Sequence, residues 1–448
     1  MINTVNKSLV MVFFLSILGT NARADTLKLS LQEAIDFALA NSYQAQLADK
    51  DVQKSKQKVK ETISMGLPQV NAEANYINNL EIPATAVPAE FFGGQPGELA
   101  TVRFGAEQQM SANITANQLI FDGSYFVGLQ ASRVYLELAK NDQEKSEADL
   151  RKLVMQAYGN VLVTERNEKI LSENVVVLRK NLKETTALYE NGFLEEQDKD
   201  QIALLLANAE NAQARAKRQI AIAKNQLKFT LGIEVENGLE LSENLEQITT
   251  QVNNQDYLGQ EFNVINHIDY KVISTQEQAT GLLMKQEKSN YLPKLSAFYT
   301  YQQNSFANEF NFFNSDGQWL SGQFVGLNLS VPIFSSFGRY QRVQQAKVDL
   351  ERLGIAKKQV AQQLLIQAEN AKSEYTYAVQ NYQTTESNMK LAESIYQKTK
   401  IKYQEGISSS LELTQANNQL IESQGNFINA SLQLINAKAN LDQALNTY

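Results

Sequence analysis

The sequence has no cysteine, one histidine, one tryptophan and six prolines among its 448 residues. Without cysteine, the chain can form neither disulfides nor thiolate metal sites, and it offers no cysteine for lipid anchoring. It also lacks the His-Glu-x-x-His zinc motif, a phosphate-binding glycine loop and a recognisable nucleophile–base pair. The lone histidine, His267, is interpreted as structural. We therefore expect no enzyme, no metal and no cofactor.

Long hydrophobic runs are also missing. No segment beyond the N-terminal region has about 18 consecutive apolar residues, so we predict no transmembrane helix. The shorter run Leu9–Leu18 follows Lys7 and precedes Ala22-Arg23-Ala24, a small-x-small cleavage pattern. Residues 1–24 are therefore predicted to be a signal peptide. The net charge of −8 argues against a nucleic-acid partner.

The sequence does contain an internal duplication. Three pairs of segments keep their order and nearly their spacing: Asn41–Tyr76 with Asn266–Tyr301, Leu119–Phe121 with Pro332–Phe334, and Tyr189–Gly192 with Tyr403–Gly406. A repeat of this size indicates two equivalent structural units. We predict a first repeat at residues 25–233, a linker at residues 234–260 and a second repeat at residues 261–448.

The positions of the prolines permit two very long helical regions. Neither Ser124–Gly232 nor Gly338–Tyr448 contains this helix-breaking residue. From Ser124 to about Glu190, and from Gly338 to about Gln404, we predict helices of roughly 67 residues, or about 100 Å. Helices in globular proteins average about 11–12 residues. Shorter helices are predicted at Leu31 to about Met65, opened by a Ser30–Glu33 capping box, and at about Ile268 to Asn290.

Each long helix is expected to end in a tight turn, at Gly192 or Gly406, and to be followed by a returning helix of about 40 residues. Both returning helices show the 3-4 spacing typical of a coiled-coil seam. In the second repeat the seam is Leu413, Ala416, Leu420, Ser423, Phe427, Ala430, Leu434, Ala437, Leu441 and Ala444. In the first repeat it is Ile202, Leu206, Ala209, Ala216, Ile220, Ala223 and Leu227, with Gln213 as a polar interruption.

Four short segments alternate apolar residues with amides and hydroxyls, as half-buried strands do. They are residues 69–76, 110–117, 295–301 and 325–331. In an outer-membrane barrel, the apolar face would contact lipid and the polar face would line water. Four strands cannot enclose a lumen, because the smallest such barrels need about eight. An open sheet edge is not viable in lipid, so several chains would have to complete the barrel together.

The chain resembles the TolC-type outer-membrane efflux proteins over essentially all of its mature length. The resemblance rests on Leu29–Ala34, Leu67-Pro68 with Leu292-Pro293, Phe121-Asp122-Gly123, and the two Tyr-x-x-Gly turns. The family often has Asn-Pro where this chain has Asn41-Ser42 and Asn266-His267.

The resemblance implies a mainly α-helical fold with a membrane β-barrel portion. The expected assembly is a homotrimer with a twelve-stranded barrel continued by a periplasmic α-helical tunnel. Such a protein would lie in the Gram-negative outer membrane, in contact with its lipid. It would serve as the exit duct of a tripartite efflux pump or type I secretion system. Its expected partners are a periplasmic adaptor (membrane fusion) protein and an inner-membrane transporter.

The resemblance also directs attention to the two turns. Glu412 and Gln415, with Asp198 and Gln201 at the matching first-repeat positions, are the candidate periplasmic constriction. A ring of Glu412 carboxylates would favour cations, and their mutual repulsion would raise their proton affinity. The alternative is that Glu412 and Asp198 are solvated first-turn acids favoured by the helix dipole. The turn residues Tyr189, Gly192, Tyr403 and Gly406 are the candidate adaptor contacts, although the tyrosines could equally be structural.

Two other interpretations remain open at the level of sequence. A periplasmic adaptor would also contain a long coiled-coil hairpin, but it would have one hairpin flanked by small β-domains. A soluble periplasmic hydrolase with a helical cap would need a catalytic constellation, which the sequence does not show.

Overall fold

The structure is a computed structural model that describes residues 26–253, 262–314 and 318–447. The predicted signal peptide, residues 1–24, lies outside the described residues, as does the end of the predicted linker, residues 254–260. Within the described part of the chain, no helix is long and apolar enough to cross a membrane.

The element order follows the duplication. The helices are α1 (Leu31–Asn41), α2 (Tyr43–Ser64), α3 (Gly123–Glu190), α4 (Glu196–Leu231), α5 (Leu245–Val252), α6 (Ile268–Ser289), α7 (Gly338–Gln404) and α8 (Ser410–Leu445). The strands are β1 (Leu27–Leu29), β2 (Gln69–Asn78), β3 (Ala84–Pro88), β4 (Leu99–Arg103), β5 (Gln108–Asp122), β6 (Leu239–Leu241), β7 (Lys294–Ala307) and β8 (Leu320–Ser330). The fold is mainly helical, and it contains two long helical hairpins, α3–α4 and α7–α8, where the adaptor interpretation requires one.

The chain divides into two compact units, and each takes segments from both repeats. The helical unit holds β1, α1, α3 from Leu150, α4, β6, α5, α7 from Thr376 and α8 up to Ala439. The sheet unit holds α2, β2–β5, the start of α3, α6, β7, β8, the start of α7 and the chain from Asn440 onward.

In the helical unit, the coiled-coil seams form the core. Most seam residues of α8 are buried, including Leu413, Ala416, Leu420 and Phe427, while Ser423 is half-buried. In α4 the buried seam residues include Ile202, Ala209 and Leu227. Gln213 donates a hydrogen bond to Glu168 at 3.3 Å, so the polar interruption is paired across the hairpin.

One predicted helix is interrupted in the structure. The helix predicted from Leu31 to about Met65 is two helices, because Ser42 has an extended backbone with ψ of 150°. The helix is therefore interrupted at Ser42 although this residue is not a proline. A Cβ on Gly232, at the end of α4, would lie 2.4 Å from the Asn41 carbonyl oxygen. The bend between α1 and α2 is thus in close contact with the chain that leaves the first hairpin.

The predicted linker is not simply a connection. It includes β6, which pairs in parallel with β1, and α5, which buries Leu245, Ile248, Thr249 and Val252. Glu243 between them accepts a hydrogen bond from the Leu31 N–H at 2.7 Å. The linker therefore fixes the start of α1.

The sheet unit contains an antiparallel four-stranded sheet in the order β2-β5-β7-β8. All four predicted strands are present, and each is longer than its predicted segment. The sheet leaves β2 and β8 as edges in the single chain. A second hairpin, β3–β4, lies within the β2–β5 connection and was not anticipated.

The two faces of this sheet differ as predicted. One face carries Val70 of β2, Ala116 of β5, Tyr299 of β7 and Val325 of β8 in a single row across the strands. On the other face, the hydroxyls of Thr115 and Thr300 are 3.0 Å apart. The apolar face is bare, since Val325 is 79% exposed and Val70 is 66% exposed.

His267 is structural, at the start of α6. Its Nδ1 accepts the Asp269 N–H at 3.2 Å, which caps the helix. Its Nε2 lies 3.3 Å from the carbonyl oxygen of Gln443, to which the neutral ring can donate. Burial lowers the pKa of His267, against the opposing effect of Asp269.

Candidate functional site

The candidate site is the pair of turns that join the helices of the two hairpins, and both turns lie in the helical unit. The first turn ends α3 with a glycine in the left-handed conformation, Gly192, at φ 79°. The Gly192 N–H donates to the Tyr189 carbonyl at 2.9 Å, and the Phe193 N–H donates to the Leu188 carbonyl at 2.9 Å. This pair of bonds is the Schellman motif, which satisfies the last carbonyls of a helix.

The second turn repeats this geometry. Gly406 has φ 76°, and its N–H donates to the Tyr403 carbonyl at 3.0 Å. The Ile407 N–H donates to the Lys402 carbonyl at 2.8 Å. Glycine is needed at both turns because the left-handed conformation is costly for other residues.

The two predicted acids have the same local role. Glu412 accepts the Ser409 N–H at 3.2 Å, while the Glu412 N–H donates to Ser409 Oγ at 3.3 Å. Asp198 accepts the Glu195 N–H at 3.2 Å. Each acid therefore closes a hydrogen-bonded first turn of the returning helix.

Their surroundings differ. Glu412 is exposed and also accepts a hydrogen bond from the Ser408 hydroxyl. This bond, together with the Ser409 N–H, lowers the pKa of Glu412. Asp198 is half-buried, and it accepts a hydrogen bond from the hydroxyl of Ser410 in α8. The first-repeat acid therefore joins the two hairpins, whereas the second-repeat acid remains within its own turn.

The two predicted amides separate in the same way. Gln415 is exposed. Gln201 is half-buried, and its Oε1 is buried without a hydrogen-bond partner. The four residues that the sequence grouped as one constriction therefore form an exposed pair, Glu412 and Gln415, and a partly buried pair, Asp198 and Gln201.

The two tyrosines also have different contacts. The Lys199 ammonium lies 4.9 Å from the centre of the Tyr189 ring, a contact within the first hairpin. The Tyr403 hydroxyl lies 3.2 Å from Thr185 Oγ1 of α3, a contact between the hairpins. Tyr403 also packs against a buried cluster that includes Tyr396 and Leu413.

Sequence reasoning missed Thr185 and Ser410, the partners of Tyr403 and Asp198. Thr185 is fully buried and Ser410 is 5% exposed. Neither lies on the predicted seam, and their partners are more than 200 residues away in sequence. Phe193 and Ile407, which follow the two glycines, are matched by the duplication and are 77% and 71% exposed.

The polar side chains at the two turns offer hydrogen bonds and charge. Among the residues that the structure describes, no group of three or more histidine, cysteine, aspartate or glutamate side chains could hold a metal ion.

Comparison with known proteins agrees with this architecture. A family model described as outer membrane efflux protein matches residues 34–233 and 271–447, which is most of the chain. No curated protein sequence matches the chain significantly.

Several solved structures have the same fold. The outer membrane protein VceC of Vibrio cholerae is 14% identical, with 93% of this chain and 95% of that chain covered at a TM-score of 0.69. The outer membrane channel CmeC of Campylobacter jejuni is 17% identical, with coverages of 93% and 85% and a TM-score of 0.68. The open-state outer membrane channel MtrE of Neisseria gonorrhoeae is 16% identical, with coverages of 93% and 88% and a TM-score of 0.68. The chain belongs to the outer membrane efflux protein family, and its function is that of an exit duct in the outer membrane.

Proposed function

We propose that three copies of this chain form one twelve-stranded barrel in the outer membrane, continued by a helical tunnel in the periplasm. The observation that carries this proposal is the four-stranded sheet with two unpaired edges, β2 and β8, and a bare apolar face. Unpaired backbone groups are costly in lipid, so a sheet can span it only as a closed barrel. Pairing β8 of one copy with β2 of the next closes the barrel and removes every edge.

The alternation along the strands supports the orientation of this sheet. The row of Val70, Ala116, Tyr299 and Val325 would face lipid. The opposite face, with Thr115 and Thr300, would face the water-filled lumen. The tunnel and barrel would conduct cargo passively, without a catalytic step or a cofactor.

The proposed partners are a periplasmic adaptor and, through it, an inner-membrane transporter. The two turns suit adaptor contact because they have the same geometry, each closed by a Schellman pair. Each also presents an exposed apolar residue, Phe193 or Ile407, directly after its glycine. A bulky substitution at Gly192 or Gly406 that leaves the trimer intact should abolish efflux, and retained export would contradict the adaptor role.

The proposed constriction consists of Glu412 and Gln415, the exposed pair. In a trimer, three Glu412 carboxylates around a narrow axis would attract cations. Within one chain, the Ser408 and Ser409 hydrogen bonds favour the charged form of Glu412. Asp198, through its bond to Ser410, would instead stabilise the contact between the hairpins.

Conductance of the purified protein in planar lipid bilayers tests the duct, with native mass spectrometry of the same detergent extract to establish the trimer. Discrete, cation-preferring current steps are expected. Glu412→Ala should reduce the cation preference, while Glu405→Ala, at an exposed acid of the same turn, serves as the matched control. A soluble, monomeric protein that forms no channel would contradict the proposal.

A further inference from the structure

The ends of β5 and β8 have matched sequences but very different exposure. Ile120 and Phe121 at the end of β5 correspond to Ile333 and Phe334 after β8. Ile120 is 47% exposed and Phe121 is 39% exposed, whereas Ile333 is 92% exposed and Phe334 is 74% exposed. The matched residues are therefore about twice as exposed in the second repeat as in the first.

In the first repeat, the start of the neighbouring strand packs beside the end of β5. β7 pairs with β5, and Lys294 at its first position lies 2.9 Å from Asp122. Just before β7, the Leu292 side chain lies over Gly123, where a Cβ would be only 2.7 Å from Leu292 Cδ1. The leucine that precedes β7 thus contacts the residue that follows β5.

The end of β8 has no such neighbour in the chain, because β8 is an edge of the sheet. The residue that corresponds to Leu292 in the duplication is Leu67, which precedes the opposite edge strand, β2. Leu67 is 56% exposed, and the adjacent Met65 is 52% exposed. Two bare apolar surfaces therefore lie beside the two unpaired edges.

The lengths of the edge strands bring these surfaces together. β2 has 10 residues and β8 has 11 residues. If β8 of one copy pairs with β2 of the next along its full length, antiparallel pairing puts Ser330 near Gln69. The segment after Ser330 then meets the segment before Gln69, which contains Leu67.

The segment after β8 is held in shape by its own chain. Ser336 and Phe337 have left-handed backbones, with φ of 50° and 64°, which is unusual for residues other than glycine and most of all for a bulky one. The Gly338 N–H donates to the Ser335 carbonyl at 2.8 Å, and Arg339 Nη1 donates to the Pro332 carbonyl at 3.2 Å. This strained turn packs the Phe334 and Phe337 rings edge to face, with centroids 6.1 Å apart, but it leaves Phe337 71% exposed.

We propose that Ile333, Phe334 and Phe337 form a socket between subunits, and that Leu67 of a second copy of this chain fills it. The proposal rests on the trimeric barrel proposed above and names the contact that seals each junction between its copies. Leu67 would meet the segment after β8 of another copy as Leu292 meets the segment after β5 within the chain. Strained backbones persist where the surrounding structure supports them and often mark functional positions, and this turn presents aromatic rings to the edge where the next copy joins.

The absence of cysteine makes a direct test possible. Two differently tagged forms, one carrying Leu67→Cys and the other Phe334→Cys, are coexpressed, and trimers containing both tags are isolated and treated with a short bismaleimide. The two cysteines are on different chains, so only a contact between copies can link them. The matched control replaces Phe334→Cys with Phe121→Cys, since Phe121 occupies the corresponding position on an inner strand. Native mass spectrometry of each preparation establishes the trimer independently.

A covalent dimer carrying both tags, at least tenfold above the Phe121→Cys control, is the expected result. A trimer with no cross-link above that control would overturn the socket while leaving the barrel proposal intact, and would assign the turn to lipid. A monomeric preparation of the wild-type chain would overturn the trimer and the socket together. If Phe334→Cys prevents assembly, Ile333→Cys provides the same measurement from the neighbouring socket residue.

Discussion

The two helical hairpins have nearly the same lengths and the same turn geometry, but they differ in how much of each returning helix is buried. Both α4 and α8 have 36 residues. α4 buries a single stripe of residues, from Ile202 to Leu231. α8 buries the corresponding stripe and also Ile428, Ser431 and Ile435 on another face. The duplicated sequence therefore gives equal local structure, while the neighbouring helices decide which faces are covered.

The same difference appears at the turns. The acid of the first hairpin, Asp198, bonds to the second hairpin through Ser410. The acid of the second hairpin, Glu412, bonds only to residues of its own turn, Ser408 and Ser409. The two corresponding capping acids therefore differ, since Asp198 joins the hairpins and Glu412 remains exposed.

Shortening the side chain to alanine at corresponding seam positions should give the largest difference in stability loss between the hairpins. Leu434 of α8 is fully buried, and Ile220 at the corresponding position of α4 is half-buried. Leu434→Ala should cost about 2–5 kcal/mol, because it leaves a cavity in a covered core. Ile220→Ala should cost about 1 kcal/mol, because part of its surface is already in water. Unfolding in denaturant, followed by circular dichroism, measures both, and equal costs would contradict the difference in burial.

Substitution of the two turn glycines should lower the stability equally in the two hairpins, because the two turns have the same geometry. Gly192→Ala and Gly406→Ala each place a side chain on a left-handed backbone with open space around it. Each should therefore cost about 1–2 kcal/mol from the backbone alone. The same unfolding measurement applies, with Gly128→Ala as a control in open space within α3. A turn whose substitution cost nothing would contradict the Schellman geometry at that turn.

The features that could be predicted from sequence are those encoded locally. Helix ends at Glu190 and Gln404 follow from the glycine turns, and four strands follow from period-2 alternation. Helix propensity and seam spacing act within a few residues, so one repeat predicts the other. The break at Ser42 escaped prediction because no proline or glycine marks it, and the β3–β4 hairpin lies in a segment whose prolines indicated only a loop.

The features that could not be predicted depend on how one hairpin is rotated against the other. Thr185 and Ser410 are small polar residues in helices rich in such residues. Their selection as partners for Tyr403 and Asp198 follows from the three-dimensional packing, which sequence spacing does not encode. The strained pair Ser336 and Phe337 escaped prediction for a related reason. The segment Phe334–Gly338 is two residues longer than the matching segment Phe121–Gly123, and nothing in its local sequence predicts a left-handed backbone.

Removal of the two turn hydroxyls should cost less stability than the glycine changes. Tyr403→Phe deletes the bond to Thr185, which is fully buried and would lose its partner across the hairpins. This should cost about 1 kcal/mol. Tyr189→Phe keeps the ring beneath Lys199 and should be nearly neutral. Denaturant unfolding tests both, and Thr185→Val combined with Tyr403→Phe should add little beyond either change if the two hydroxyls act as a pair.

The smallest effect should come from the exposed acid, and it should depend on pH. Hydrogen bonds from Ser408 and the Ser409 N–H lower the pKa of Glu412 below its ordinary value of 4.5. Its contribution to stability is therefore fully present above about pH 4.5 and is lost as the pH falls through the lowered pKa. Glu412→Gln can still accept the Ser409 N–H, so α8 should keep its cap near neutral pH. The unfolding midpoints of wild type and variant, measured from pH 7 down to pH 3, should converge in acid. A difference that stays constant over this range would show that Glu412 does not stabilise its turn through its charge.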